Sequence, residues 1–142
     1  MRTPGHTASV VKWPSTPCDV VISIATARAS ARCPASAHWY QDLPLADEID
    51  IIAGAWRDYA ILVDDFKVPG DDGYAYDDYG PGKCLDMDYL KPVLARNQLR
   101  AFFPTTRSKD ESGGRPGYVV VVPDSAVAGA RSASLLREVA NA

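Results

Sequence analysis

Tyr59–Phe66 reads YAILVDDF, and the class of fold depends on how this stretch is read. Five apolar residues run without alternation into Asp64 and Asp65. A short continuous apolar run is the pattern of a strand covered on both faces, as in a parallel sheet. Successive side chains of a strand point to opposite faces, so the two carboxylates cannot both face one way inside it. At the strand's carboxyl end the chain leaves the sheet, and one or both can turn into the crevice where open α/β sheets bind ligands. Two readings follow. In the plain one, one aspartate caps the next loop and the other is solvated. In the functional one, Asp64, Asp65 or both serve a substrate or a divalent cation, since carboxylate oxygens suit magnesium or calcium.

Upstream, DLPLADEIDIIAGAW (Asp42–Trp56) has the period of a helix. Leu45, Ile49, Ile52 and Trp56 fall on one face. Asp42 is a candidate cap, Pro44 suits the first turn, and Asp47 and Glu48 favour the positive end of the helix dipole. Burying the four apolar side chains contributes on the order of 6–12 kcal/mol before entropy is set against it.

Downstream lies KVPGDDGYAYDDYGPGK (Lys67–Lys83), which carries Asp71, Asp72, Asp77 and Asp78 among Tyr74, Tyr76 and Tyr79. It lacks the spacing of an EF-hand, and GPGK lacks that of a phosphate-binding loop. It reads as a solvated acidic loop, a calcium loop, or a lid whose tyrosines face a substrate and whose glycines supply turns and hinges. LDMDYLKPVLAR (Leu85–Arg96) predicts a short helix capped by Asp86, with Pro92 kinking it or marking its start. QLRAFFPTTR (Gln98–Arg107) and GYVVVVP (Gly117–Pro123) predict a pair of strands joined by a long polar connection. Ser125–Ala140 predicts a weak helix.

Residues 1–36 are rich in Ala, Ser, Thr and Pro, and only DVVISI (Asp19–Ile24) resembles a strand. Poor order is expected there. Residues 37–123 form the expected α/β unit, and 124–142 a terminal helix or tail. His38 and Trp39 precede the first helix, and a histidine at a strand end can serve as acid or base near neutral pH. A packed or solvent-facing histidine without a role is the competing reading.

At 142 residues the chain is at most one domain. A net charge of -3 and a pI near 5.2 argue against a nucleic-acid partner. No apolar run reaches the roughly 18 residues of a membrane span, which leaves no membrane partner and a cytoplasmic location as the expectation. Three widely spaced cysteines form neither a disulfide framework nor a zinc pattern.

The stretch AHWYQDLPLADEIDIIAGAWRDYAILVDDFKVPGDDGYAYDDYGPGKCL (Ala37–Leu85) resembles the second half of class I S-adenosylmethionine-dependent methyltransferases, and the likeness extends to Val122. It implies a partial Rossmann-like three-layer α/β sheet ending in an antiparallel hairpin, with Gln98–Val122 as that last pair. It further implies S-adenosylmethionine as cofactor, with Mg2+ in some forms, and methyl transfer to a small hydroxylated acceptor. His38, Asp64 and Asp65 then occupy catalytic positions, with the two aspartates also the metal positions. Trp39, Tyr74, Tyr76, Asp77, Asp78 and Tyr79 would line the substrate. Ser36 stands where the pattern expects aspartate, and residues 1–37 lack the glycine-rich turn and acid that hold the cofactor. The resemblance therefore points to a truncated or frame-shifted form, inactive alone, with exposed strand edges that call for an oligomer or a missing N-terminal half. The alternative from another class is a non-catalytic divalent-cation-binding or interaction module built on the acidic loop.

Overall fold

The structure, a computed structural model, describes residues 9–11, 20–24 and 43–139, the first two segments as backbone only. The elements are β1 (Ser9–Val11), β2 (Val20–Ile24), α1 (Leu45–Ala55), β3 (Tyr59–Asp64), α2 (Met87–Asn97), β4 (Leu99–Pro104), β5 (Tyr118–Pro123), α3 (Val127–Ser132) and β6 (Leu136–Glu138). The class is mixed α/β. The strands form one sheet of order β1-β2-β3-β5-β4-β6. β2 and β3 are parallel, and every other neighbouring pair is antiparallel. Since β5 runs against both β3 and β4, the strands β2, β3 and β4 all point the same way.

The core lies on one face of this sheet. Tyr59, Ile61 and Val63 of β3 meet Val119 and Val121 of β5 and Ala101 and Phe103 of β4. Leu45, Ile49 and Ile52 of α1 and Leu90, Val93 and Leu94 of α2 cover them. The opposite face holds a smaller cluster of Phe102, Val122 and Ala126, packed by Val127, Ala130 and Leu136. β3 therefore alternates between buried and half-buried positions. The expectation of a strand buried on both faces is corrected: among the described residues α1 and α2 lie on one side, and the other receives a short turn and α3.

Several local readings of the sequence agree with the structure. The helix after the acidic loop begins where Asp86 accepts a hydrogen bond from the Tyr89 amide at 3.0 Å. Pro92 sits inside that helix rather than at its start. The amide it lacks would bond the carbonyl of Asp88, and both residues are exposed, so water can satisfy that carbonyl.

Others are corrected. α1 starts at Leu45 with Pro44 as its cap residue, which has no side-chain acceptor to offer, and the Ala46 amide donates instead to the Tyr89 hydroxyl of α2 at 3.2 Å. Asp42, the expected cap, lies outside the described residues. Trp56 leaves the helix in extended conformation and is 44% exposed, so it does not join the buried stripe. The expected C-terminal helix divides into a short turn, the six-residue α3 and the strand β6. β4 has a free edge there, and unpaired edge amides and carbonyls recruit a neighbouring extended segment. The edge of β3 expected to be bare is covered along Tyr59–Val63 by β2. Among the described residues, no helix is long and apolar enough to cross a membrane.

Candidate functional site

Strand direction sorts the connections. β2, β3 and β4 end at Ile24, Asp64 and Pro104, all at one end of the sheet. The long connections 25–44, 65–86 and 105–117 leave from that end. The opposite end has the three-residue link from α1 to β3 and the single residue Gln98 between α2 and β4. Long connections held by a rigid sheet are where ligand sites are built, and the carboxyl ends of parallel strands are their usual place.

Asp64 is the last residue of β3 and half-buried. Its Oδ1 accepts the amide of Asp65 at 3.0 Å. Asp65 is 7% exposed and has φ 52°, in the left-handed region. A side chain other than glycine costs about 1–2 kcal/mol there, with aspartate among the more tolerant residues. The strand ends at this bend, but the chain still runs beside the residues that lead into β5. Phe66 then donates its amide to the Gly117 carbonyl at 2.9 Å, and the Asp65 carbonyl accepts the Asp77 amide at 2.9 Å.

The acidic loop is built into the fold. Ala75 donates to the Arg115 carbonyl at 2.7 Å, Gly117 to the Ala75 carbonyl at 2.8 Å, and Lys67 to the Leu85 carbonyl at 2.8 Å. Tyr74 is 2% exposed, and its hydroxyl lies 2.6 Å from Glu111 Oε1 and 3.0 Å from the Thr106 carbonyl. Burial, with Glu111 beside it, raises the phenol's pKa far above the ordinary range. Tyr74 is thus an anchor facing the core, whereas the substrate-facing role expected of it calls for an accessible ring.

Most of the aspartates shape the backbone. Asp78 accepts the Gly80 amide at 2.9 Å and Asp71 the Gly73 amide at 3.2 Å, the geometry of Asx turns. Asp77 Oδ2 accepts the Tyr79 hydroxyl at 2.9 Å. Tyr76 is 38% exposed, with the Lys67 ammonium 5.2 Å from its ring centre. Of the residues expected to line a substrate, Tyr76, Asp77, Asp78 and Tyr79 remain at least partly accessible. His38 and Trp39 lie outside the described residues. Burial, helped by Asp86 and Asp78, pushes the Cys84 thiol up to about 11, so little reactive thiolate forms at neutral pH.

Asp71 also joins the loop to the β4–β5 connection. Its carboxylate accepts the Ser108 hydroxyl at 2.6 Å and the Ser108 amide at 2.9 Å. The Ser108 hydroxyl, then the Ser108 amide, hold the Asp71 carboxyl below the ordinary aspartate range, and Arg107 assists. A depressed native pKa adds stability above the unfolded value and loses it as pH falls through the native value. Acidification through and below the ordinary aspartate range is therefore expected to loosen residues 69–79 before the α1–α2 core. Hydrogen exchange at pH 6 and pH 3 checks this. In Asp71→Asn, which keeps one acceptor oxygen, the difference between the two pH values should shrink.

Ser108, Glu111 and Gly117 were not distinguishable in the sequence from the rest of a polar hairpin connection. The available hint was the Gly-Arg-Pro-Gly run before β5, where small and ring-closed residues mark a close backbone approach.

Among the described residues, no group of three His, Cys, Asp or Glu side chains could hold a metal ion. One or two carboxylates with water and substrate oxygens are a usual Mg2+ ligand set, so Asp64 and Asp65 would be the residues to hold one, and no step is assigned to it. Comparison with protein-family models, curated proteins and solved structures gives no match.

Proposed function

We propose that the carboxyl end of β3 is the acceptor side of a methyltransferase-like α/β unit of partial Rossmann-like type. Its intact form would move a methyl group from S-adenosylmethionine to a small hydroxylated acceptor. One observation carries the reading: Asp65 is a nearly buried carboxylate in a left-handed conformation at the end of a strand parallel to its neighbour. Such a bend costs stability, and strained residues concentrate at ligand sites. The topology supports it further. β5 lies reversed between two strands of common direction, in keeping with the antiparallel last pair the resemblance implies.

In this reading the cofactor supplies an electrophilic methyl group, and no described residue is assigned to holding it. Asp64 or Asp65 orients the acceptor hydroxyl by accepting its hydrogen bond, and a base takes its proton as the oxygen becomes nucleophilic. His38 is the proposed base. The loop, pinned by Tyr74 and Asp71, forms a fixed wall beside the acceptor rather than a hinged lid.

The cation-binding module has less support, because Asp71, Asp77 and Asp78 are committed to turns and side-chain bonds. Calorimetry on the full chain separates the readings. Heat on adding S-adenosylmethionine, or on adding a small hydroxylated acceptor and then reduced in Asp65→Asn, supports the first reading. Calcium heat without either response favours the module, and silence towards all three marks an inert fragment.

A further inference from the structure

We infer that the C-terminal strand β6 is a detachable strap that fixes the acidic loop through Arg137. The Arg137 guanidinium joins two segments with its separate nitrogens. Nε donates to the Pro104 carbonyl at 3.1 Å, at the end of β4. Nη2 donates to the Pro69 carbonyl at 2.9 Å, at the start of the loop. A guanidinium has the rigid fork needed to satisfy two carbonyls at once, which an ammonium on a flexible stem lacks. Arg137 thus links the tail by its side chain to the loop that walls the carboxyl end of β3.

The strap itself is lightly held. β6 is three residues long, half-buried throughout, and pairs with β4 over Phe102–Pro104 alone. α3, which leads into it, has no buried residue. Glu138 is gripped by Arg131 at 2.6 Å, with Arg100 at 4.0 Å. Arg131 is 60% exposed, so salt screens this grip. The loop's own anchors lie further along, at Asp71 and Tyr74. Opening β6 therefore frees Pro69 and Gly70 first and leaves Val68 and the α1–α2 core closed. Segments with few buried contacts open locally at a free energy below that of global unfolding.

Hydrogen exchange read by mass spectrometry on the full chain tests the coupling. Arg137→Ala should make amides of 70–72 exchange roughly tenfold faster, the effect of losing a charge-assisted bond, with 45–56 at the wild-type rate. Glu138→Gln, which leaves Arg137 in place, should speed β6 and, by a smaller factor, 70–72. Raising salt should act like Glu138→Gln in the wild type and do little more in that variant. Loop exchange unchanged while β6 opens overturns the strap. Should Arg137→Ala loosen α1 as well, Arg137→Lys decides: faster exchange confined to the tail and loop upholds the coupling, and wild-type rates in the loop end it.

Discussion

Gly117→Ala lowers stability by about 3 kcal/mol, the upper part of the range for overpacking a close-packed interior. A Cβ at Gly117 would stand 2.1 Å from the Phe66 carbonyl oxygen and 3.1 Å from a Val68 methyl. The first neighbour is backbone, so no side-chain rotation relieves the overlap. Two hydrogen bonds depend on the same approach: Gly117 accepts from the Phe66 amide and donates to the Ala75 carbonyl. Moving β5 away to admit the methyl group weakens both and shifts the exit of β3 on which the proposed acceptor site stands. Urea unfolding followed by tryptophan fluorescence reads the loss. Gly114→Ala is the control, since nothing lies within 4 Å of its added Cβ. It should unfold within about 0.5 kcal/mol of the wild type, as surface changes usually do. Equal midpoints for the two variants would mean that β5 does not approach Phe66 as closely as described.

The same position shows where the sequence stopped being readable. Local pattern is sufficient for α1, α2, β3, β4 and β5, because each has an apolar run or repeat with Pro, Gly or Asp at one of its ends. Asp86 as a cap follows from its place before an apolar period, and that is where the structure has it. β6 was not legible, since Leu136, Arg137 and Glu138 follow a helix-forming stretch and become a strand only because β4 offers an open edge. β1 was not legible either: three residues are too few to show alternation. In the site, Asp64 and Asp65 were visible as carboxylates at a strand end, but the left-handed bend at Asp65 was not. A negative loop reads as a ligand surface when its partners are unknown. Here Asp71 spends its charge on Ser108, 37 residues away, and Tyr74 its hydroxyl on Glu111 at the same separation. Those pairings are set by the antiparallel return of β5, which no local window contains.

Phe66→Ala is the companion change, with an expected loss of about 3–5 kcal/mol, the range for emptying a buried aromatic site. Phe66 is fully buried directly after Asp65, and its ring packs on that of Phe103 at 6.1 Å, tilted by 44°. Beside a typical domain stability of roughly 5–15 kcal/mol, this is enough to leave a large unfolded fraction. Phe66→Leu refills most of the volume and should recover more than half of the loss. The urea midpoint should fall in both variants with the slope unchanged, since the same surface is exposed on unfolding. Combined with Gly117→Ala, the effects are expected to be sub-additive. The alanine methyl meets the backbone of residue 66, and emptying the ring's site lets that backbone move inward and relieve the overlap. Neighbouring residues couple by about 0.5–3 kcal/mol in such cycles. A double variant as unstable as the sum would mean that the Phe66 backbone is held in place by its strand bonds, not by its ring. The bend at Asp65 would then be fixed by the sheet and not by the packing beneath it.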